Sequence, residues 1–184
     1  MKTNESVALY VLRLTLTLLL ITAVVAAALA GINSVTAPII AQLKAEKVQL
    51  AIEEVLPGGG EVVDFTDNTG WITNVYKSEK GYAVEVTPTT GFNGAITMMV
   101  GIDTEGKILG ISVVSQTETA GLGAVCAAKT EAGQSFRSDF VGLSGEVKVD
   151  KDGGEVDSIT GATITSRAVC DGVNAALNCV ANMG

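Results

Sequence analysis

From Leu14 to Ile32 the chain carries no charged residue, and apart from Thr15, Thr17 and Thr22 its side chains there are aliphatic or absent. At helical rise these ~19 residues span roughly 28 Å, close to the hydrocarbon thickness of a bilayer. Such a segment is either a spanning helix or a signal peptide. Ala28-Leu29-Ala30 before Gly31 has the composition of a small-residue processing site, but the run is longer than the apolar stretch of about 7 to 15 residues that signal peptides use. An uncleaved anchor is expected. No cysteine follows the small residues, so no lipoprotein attachment is expected either.

Charge sets the expected orientation. Lys2 and Arg13 flank a single Glu5 ahead of the run, whereas Lys44, Glu46 and Lys47 behind it are mixed. The positive-inside rule then puts residues 1–13 in the cytoplasm, 14–32 in the membrane and the remainder outside. Beyond Thr36 the chain is expected to leave the bilayer through Pro38. Apolar residues at Ile40, Leu43, Val48, Ala51, Ile52 and Val55 keep helical spacing up to Pro57 and the run Gly58-Gly59-Gly60. Residues 33–60 thus read as a stalk helix and a glycine-rich linker. The stalk either continues the anchor or packs as an amphipathic helix on the domain, and the spacing does not choose. Residues 61–184 are left as one extracytoplasmic domain, long enough for a core.

The remaining pattern is α+β. Trp71 to Val75, Tyr82 to Val86, Ala95 to Ile102 and Lys107 to Val114 alternate or run apolar as strands do. The turn Asp103-Thr104-Glu105-Gly106 makes the last two an antiparallel hairpin. Ala124 to Phe136 is predicted helical, with Phe136 and Phe140 in the core, and Asp150 to Gly154 is a turn without the ligand spacing of a calcium loop. A closing helix from Thr163 to about Val180 carries Val169, Val173, Ala176, Leu177 and Val180 as one buried stripe. Strands first and helices later predict a mainly antiparallel sheet with packed helices.

Composition narrows the chemistry. A net charge of -8 repels nucleic acid and anionic lipid. The chain has no histidine, which removes Ser-His-Asp and Cys-His catalysis and most zinc sites. Redox chemistry would have to come from a bound cofactor. Cys126, Cys170 and Cys179 show no C-x-x-C spacing and are too few for a four-cysteine cluster. Cys170 and Cys179 fall on opposite sides of one predicted helix, ~13 Å apart along its axis. Either could reach Cys126, but three small buried apolar residues is the preferred reading.

Two stretches stand out against this background. Asp157-Ser-Ile-Thr-Gly-Ala-Thr-Ile-Thr-Ser166 follows a glycine-rich turn and opens the last helix. Hydroxyls at a helix start sit where backbone N–H groups lack partners, so they cap the helix or receive an anion. Gly161 and Ala162 leave Thr160 and Thr163 approachable by something bulky. Taken alone, the stretch is an ordinary helix start with Asp157 or Thr160 as cap. The second stretch is Gln116-Thr117-Glu118-Thr119-Ala120-Gly121-Leu122-Gly123. Its glycines let backbone N–H groups approach a planar ring or a phosphate, and Leu122 can cover a ring face. Alone it is a hairpin exit without the third glycine of a dinucleotide fingerprint. Lys151 is either a solvated turn residue or a cation placed near a phosphate or ring edge.

Taken together, Asp-x-x-Thr-Gly-Ala-Thr, the Glu118 to Gly123 segment and the N-terminal anchor resemble the FMN-binding domain family. That family includes the G subunit of Rnf-type ion-translocating electron transport complexes and the C subunit of the sodium-translocating NADH:quinone reductase. The chain departs from the family pattern at Thr160, where most members have Ser, at Gln116, and at Ala120, where a Pro would stiffen the loop. The resemblance implies FMN joined by a phosphoester to Thr163. It also implies a cofactor site of Glu118, Thr119, Gly121, Leu122, Thr160, Gly161, Ala162 and Lys151. Asp157 would serve recognition by a flavin transferase that takes FMN from FAD with a metal ion, or cap the helix. A threonine hydroxyl is a poor nucleophile, and no base adjoins it in sequence, so attachment is expected to need that enzyme. The implied role is electron transfer in a membrane complex coupling ferredoxin and NAD chemistry to cation transport. Other integral membrane and iron–sulfur subunits would be its partners, with no catalytic residue or metal site of its own. The compact length suits the Rnf-type member better than its quinone-reductase counterpart. A stand-alone anchored extracytoplasmic flavoprotein reductase, a C-type subunit of a sodium-translocating NADH:quinone reductase and a flavin-free binding module are the alternatives.

Overall fold

A computed structural model describes residues 2–183. Its first element, α1 (Lys2–Val55), runs through Pro38 without interruption, although Pro38 has no N–H to give and marks the expected exit from the bilayer. One lost hydrogen bond in so long a ladder does not end it. The chain divides into two compact units, Met1–Ala45 and Glu46–Gly184. In the first, the apolar side chains from Val7 to Leu43 are exposed, on a helix long and apolar enough to cross a membrane. The hydroxyls of Thr15, Thr22 and Thr36 donate back to the carbonyls of Val11, Leu18 and Ile32 at 2.9 to 3.0 Å. Each of these hydroxyls thus finds a partner without water, as a lipid environment demands.

The second unit is built on five strands: β1 (Glu61–Val62), β2 (Ile72–Ser78), β3 (Gly81–Val86), β4 (Thr97–Asp103) and β5 (Ile108–Ser115). Each pairs antiparallel with its neighbour in the chain, in the order β1-β2-β3-β4-β5. The β4–β5 turn closes on Asp103, whose Oδ1 accepts the N–H groups of Glu105 and Lys107, each at 2.8 Å. The short β1 gives no periodic signal and escapes the sequence reading.

Alternation along the strands gives the sheet two apolar faces. One packs α3 (Thr163–Ala181) and α2 (Glu131–Ser138), with Val84, Val86, Met98, Val100, Phe136, Phe140, Val169 and Val173 in a single cluster. Phe136 and Phe140 meet edge to face at 5.4 Å. The other face receives the end of α1, where Ala51, Ile52, Val55 and Leu56 bury against Ala83 and Met99. Gly101 makes this possible, because a Cβ there would lie 2.4 Å from the Val55 carbonyl oxygen. The last turns of α1 therefore form part of the domain, and Gly58 to Gly60 is a turn into β1 rather than a linker. The compact unit begins at Glu46, ahead of the boundary at residue 61 drawn from sequence.

The helix expected over Ala124 to Phe136 is two elements. A 3-10 turn (Gly123–Ala127) precedes α2, which starts afresh at Thr130 with its side chain accepting the Gly133 N–H. The backbone is extended at Ala128 and Thr130, which interrupts the helix, and Arg137 donates to the carbonyls of Cys126 and Ala128 at 2.9 Å each across the break. A second 3-10 turn (Asp150–Asp152) leads towards α3. The fold is α+β with an antiparallel sheet, as expected.

Candidate functional site

The start of α3 differs from the expectation. Its N-cap is Ala162, with no side-chain cap hydrogen bond, so neither Asp157 nor Thr160 caps the helix. Both are exposed. The Asp157 N–H instead donates to Asp139 Oδ2 at 3.2 Å. The turn before the helix is held from within: the buried Ser166 hydroxyl accepts the Ile159 N–H at 3.0 Å and donates to the Ala162 carbonyl at 3.1 Å. Gly161 sits there at φ 75, a left-handed conformation that glycine adopts at least cost. Thr163 becomes the first helical residue, beside backbone N–H groups that carry the positive end of the helix dipole.

Lys151 reaches this point. Its Nζ donates to Thr163 Oγ1 at 2.8 Å. The two aspartates flanking it in the 3-10 turn are engaged elsewhere: Asp150 Oδ1 accepts the Ser158 N–H at 2.9 Å, and Asp152 takes Arg167 in a two-pronged pair at 2.6 and 2.7 Å. Hydrogen bonding from Ser158 holds the Asp150 carboxyl below its usual range, and Arg167 does the same for Asp152. Both therefore stay ionised and keep their own partners; Asp150 attracts the Lys151 charge as well, while the ammonium donates to Thr163.

On the other side of the helix start lies Glu118, only 7% exposed. Its Oε2 accepts the buried Thr165 hydroxyl at 2.7 Å and its Oε1 accepts the Asn93 N–H at 3.0 Å. One carboxylate thus ties together the 91–94 loop, the 116–123 loop and α3. Gly123 passes so close that a Cβ would lie 2.5 Å from Thr165 Oγ1 and 2.6 Å from Glu118 Oε2. The 116–123 loop is stiffened without the proline: Gln116 Oε1 accepts the Glu118 N–H at 2.5 Å, and the Thr119 carbonyl accepts from Leu122 and Ala124 at 3.1 Å. Burial, then the Glu118 charge, pushes the neighbouring Cys126 thiol up to about 11. All three cysteines are free and buried.

Between these segments opens a cavity of about 320 Å³, near the lower end of the ~300 to 1,000 Å³ typical of small-molecule sites. Glu118, Thr119, Leu122, Gly161, Ala162 and Thr163 line it, as the sequence reading expected. Thr160, Gly121 and Asp157 do not, and Lys151 contacts Thr163 from outside the lining. Gly121, at φ 76, serves the turn that presents Leu122. Three wall residues escaped the sequence reading: Phe92, Ile164 and Thr165. Phe92 is 66% exposed, Ile164 48% and Leu122 44%, so large apolar side chains of the lining stand uncovered.

These residues fit FMN. A flat aromatic ring suits the apolar walls, and a phosphate suits an uncapped helix start with a lysine and a hydroxyl beside it. A second cavity, about 700 Å³, lies at the opposite end of α3 among Glu105, Glu146, Asn174 and Asn178, and contains none of the motif residues.

Residues 91–178, from the loop carrying Phe92 to the last turn of α3, match the FMN-binding domain family, so the fold is that of a flavin-nucleotide-binding domain, in a chain that opens with a membrane-length helix. The similarity extends to whole proteins. The chain is 32% identical to the G subunit of the Na(+)-translocating ferredoxin:NAD(+) oxidoreductase complex of Acetobacterium woodii, with 100% of this chain and 99% of that protein covered. It is 33% identical to the G subunit of the ion-translocating oxidoreductase complex of Methanosarcina acetivorans, over 89% of this chain and 91% of that one. The corresponding Vibrio vulnificus protein is 46% identical over 50% of this chain and 44% of its own length. The chain belongs to the family of G subunits of ion-translocating oxidoreductase complexes.

Proposed function

We propose that this chain is the FMN-carrying electron-transfer subunit of a complex coupling ferredoxin and NAD chemistry to cation transport, with the FMN phosphate esterified to Thr163. The observation that carries the reading is the position of Thr163: the first residue of an uncapped helix, its hydroxyl beside a cavity with apolar walls. FMN, when bound, supplies one- and two-electron redox chemistry. This chain's own residues do the rest. The helix start and Lys151 hold the phosphate, Phe92, Leu122 and Ile164 cover the ring, and the Glu118 network fixes the loops that carry Thr119, Gly121 and Leu122. Thr160, Gly161 and Ala162 form the approach to the ester.

Attachment falls to a flavin transferase that draws FMN from FAD, and the exposed Asp157 is available for its recognition. Residues 14–32 cross the membrane with residues 1–13 in the cytoplasm, which leaves the Glu46–Gly184 unit outside the cell. There a covalent bond retains a cofactor that the cytoplasmic pool cannot replace. A single span makes no ion path, so translocation belongs to partner subunits in the membrane, and electrons pass to and from partner iron–sulfur and flavin centres. The coverage of 99% of the Acetobacterium woodii protein favours this over the C subunit of a quinone reductase.

The test is intact mass spectrometry of the full chain produced with its transferase. One added FMN moiety on the peptide containing Thr163 is expected, and none in Thr163→Ala. Unmodified wild-type protein overturns the reading. Modified protein that purifies without other membrane subunits favours a stand-alone reductase.

A further inference from the structure

We propose that Lys151 is a positioning residue for the chain's own modification: its ammonium holds Thr163 Oγ1 and offsets the charge of the incoming phosphate while the ester forms. The inference rests on attachment at Thr163 as proposed above, and adds that the acceptor protein contributes to the rate.

The geometry is specific. Lys151 Nζ lies 2.8 Å from the very oxygen that would be esterified. An ammonium can only donate, so it occupies one lone pair of that oxygen and leaves the other, together with the hydroxyl proton, to the reaction. Its position is built into the fold. The Val149 carbonyl accepts the N–H groups of Asp152 and Gly154 at 2.9 Å each, which closes the turn. Asp150 is taken by the Ser158 N–H and Asp152 by Arg167. Asp150 still attracts the lysine through space, but the side-chain hydrogen bond of Lys151 goes to Thr163. The surroundings also require a cation: the chain has a net charge of -8, and Asp150, Asp152 and Asp157 stand in the turn and the segment that lead into the helix start, with Asp139 hydrogen-bonded to that segment. A pyrophosphate approaching this side meets carboxylates unless a positive group stands at the point of attack.

In the step itself a bond forms between Thr163 Oγ1 and the phosphorus of the FMN half of FAD. The pyrophosphate P–O bond breaks and AMP leaves with its electron pair. The hydroxyl proton passes to a base of the transferase. Lys151 neither gives nor takes a proton. It fixes the direction of the oxygen and makes charge on it less costly.

The experiment uses the full chain in detergent, with purified flavin transferase limiting, FAD and Mg²⁺, and reads the initial rate of FMN incorporation by intact mass. Wild type is compared with Lys151→Met, Lys151→Arg and Lys148→Met, the last removing a nearby exposed cation paired with Glu146. Lys151→Met is expected to lower the rate at least ~10-fold, less than the ~100- to 1,000-fold loss typical of a buried oxyanion donor because Lys151 is exposed. Lys151→Arg should restore most of it, and Lys148→Met should match wild type. A wild-type rate in Lys151→Met overturns the inference. So does equal slowing in Lys151→Arg, or equal slowing in Lys148→Met, which would reduce the effect to net charge. Failure of the wild type to take up any FMN overturns the attachment reading itself, and so the two failures are told apart.

Discussion

The two ends of α3 each carry a cavity, and it is the smaller one whose chemistry suits an anionic cofactor. At the C-terminal end a cavity of about 700 Å³ is flanked by Glu105 and Glu146, where the helix dipole is negative and disfavours an anion. Its Asn174 is already used: Oδ1 accepts the Val147 N–H and Nδ2 donates to the Val147 carbonyl, both at 2.8 Å. At the N-terminal end, about 320 Å³ of space adjoins a positive, uncapped helix start and the Thr163 hydroxyl held by Lys151. Volume says where something fits. The sign of the field favours an anion at the N-terminal end and not at the C-terminal one.

The sharpest way to break this contrast is Thr163→Ala. All covalent FMN should disappear from the intact mass and from in-gel fluorescence, with a change in stability of about 1 kcal/mol or less, as for a substitution outside the core. Label retained in that variant would move the chemistry away from this end. Glu118→Ala should have the next largest effect, on the fold rather than on the bond. It leaves the buried Thr165 hydroxyl and the Asn93 N–H without their acceptor, a loss of about 2 to 4 kcal/mol that denaturant unfolding would read. Asn174→Ala tests the opposite end. Two groups of the buried Val147 lose their partner, which costs about 1 to 3 kcal/mol, while FMN content stays at the wild-type level. Reduced content would give the larger cavity a part in the cofactor site.

The weakest effect is in pH dependence. Burial first, then nearby carboxylates, pushes the Cys126 and Cys170 thiols from 9.0 up to about 11 and about 12. Folding therefore suppresses their ionisation. The effect on stability is a penalty: it is absent below about pH 9, where the thiols are neutral in both states, and complete above the folded values, because the unfolded chain ionises first and gains from rising pH. Stability is therefore unaffected below about pH 9 and falls as pH rises from there towards about 11 to 12. Thermal unfolding between pH 8 and 11 should show the decline, and a Cys126→Ala/Cys170→Ala double variant should flatten it.

What the sequence reveals follows from how far apart the partners lie. The anchor is a contiguous run, and the motif and the Glu118 to Gly123 loop are contiguous too, so their composition is visible directly. Four of the strands, the last two as a hairpin, declare themselves through alternation or apolar runs. Phe92 does not, because a single exposed aromatic in a Gly-Phe-Asn-Gly loop has no pattern, and its place in the site depends on Asn93 meeting Glu118 across the fold. Thr165 looks like one more helix hydroxyl until Glu118 is seen to accept from it. The cap expected at Asp157 or Thr160 fails because Ser166, inside the helix, reaches back to hold the turn. Helix continuity up to Val55, and the interruption between Ala127 and Glu131, go with tertiary contacts: Gly101 admits the end of α1, and Arg137 bridges the break through two carbonyls.

The strand order of the sheet also bears on synthesis. Since every strand lies beside its predecessor, the sheet can close hairpin by hairpin as the polypeptide emerges, with tight turns at β2–β3 and β4–β5 and longer loops at β1–β2 and β3–β4. The segment bearing Thr163 comes last and must dock across strands already made. A product truncated before residue 157 would lack both the proposed acceptor oxygen and the helix that covers one face of the sheet, so a flavin label at Thr163 would mark a chain made at least as far as α3.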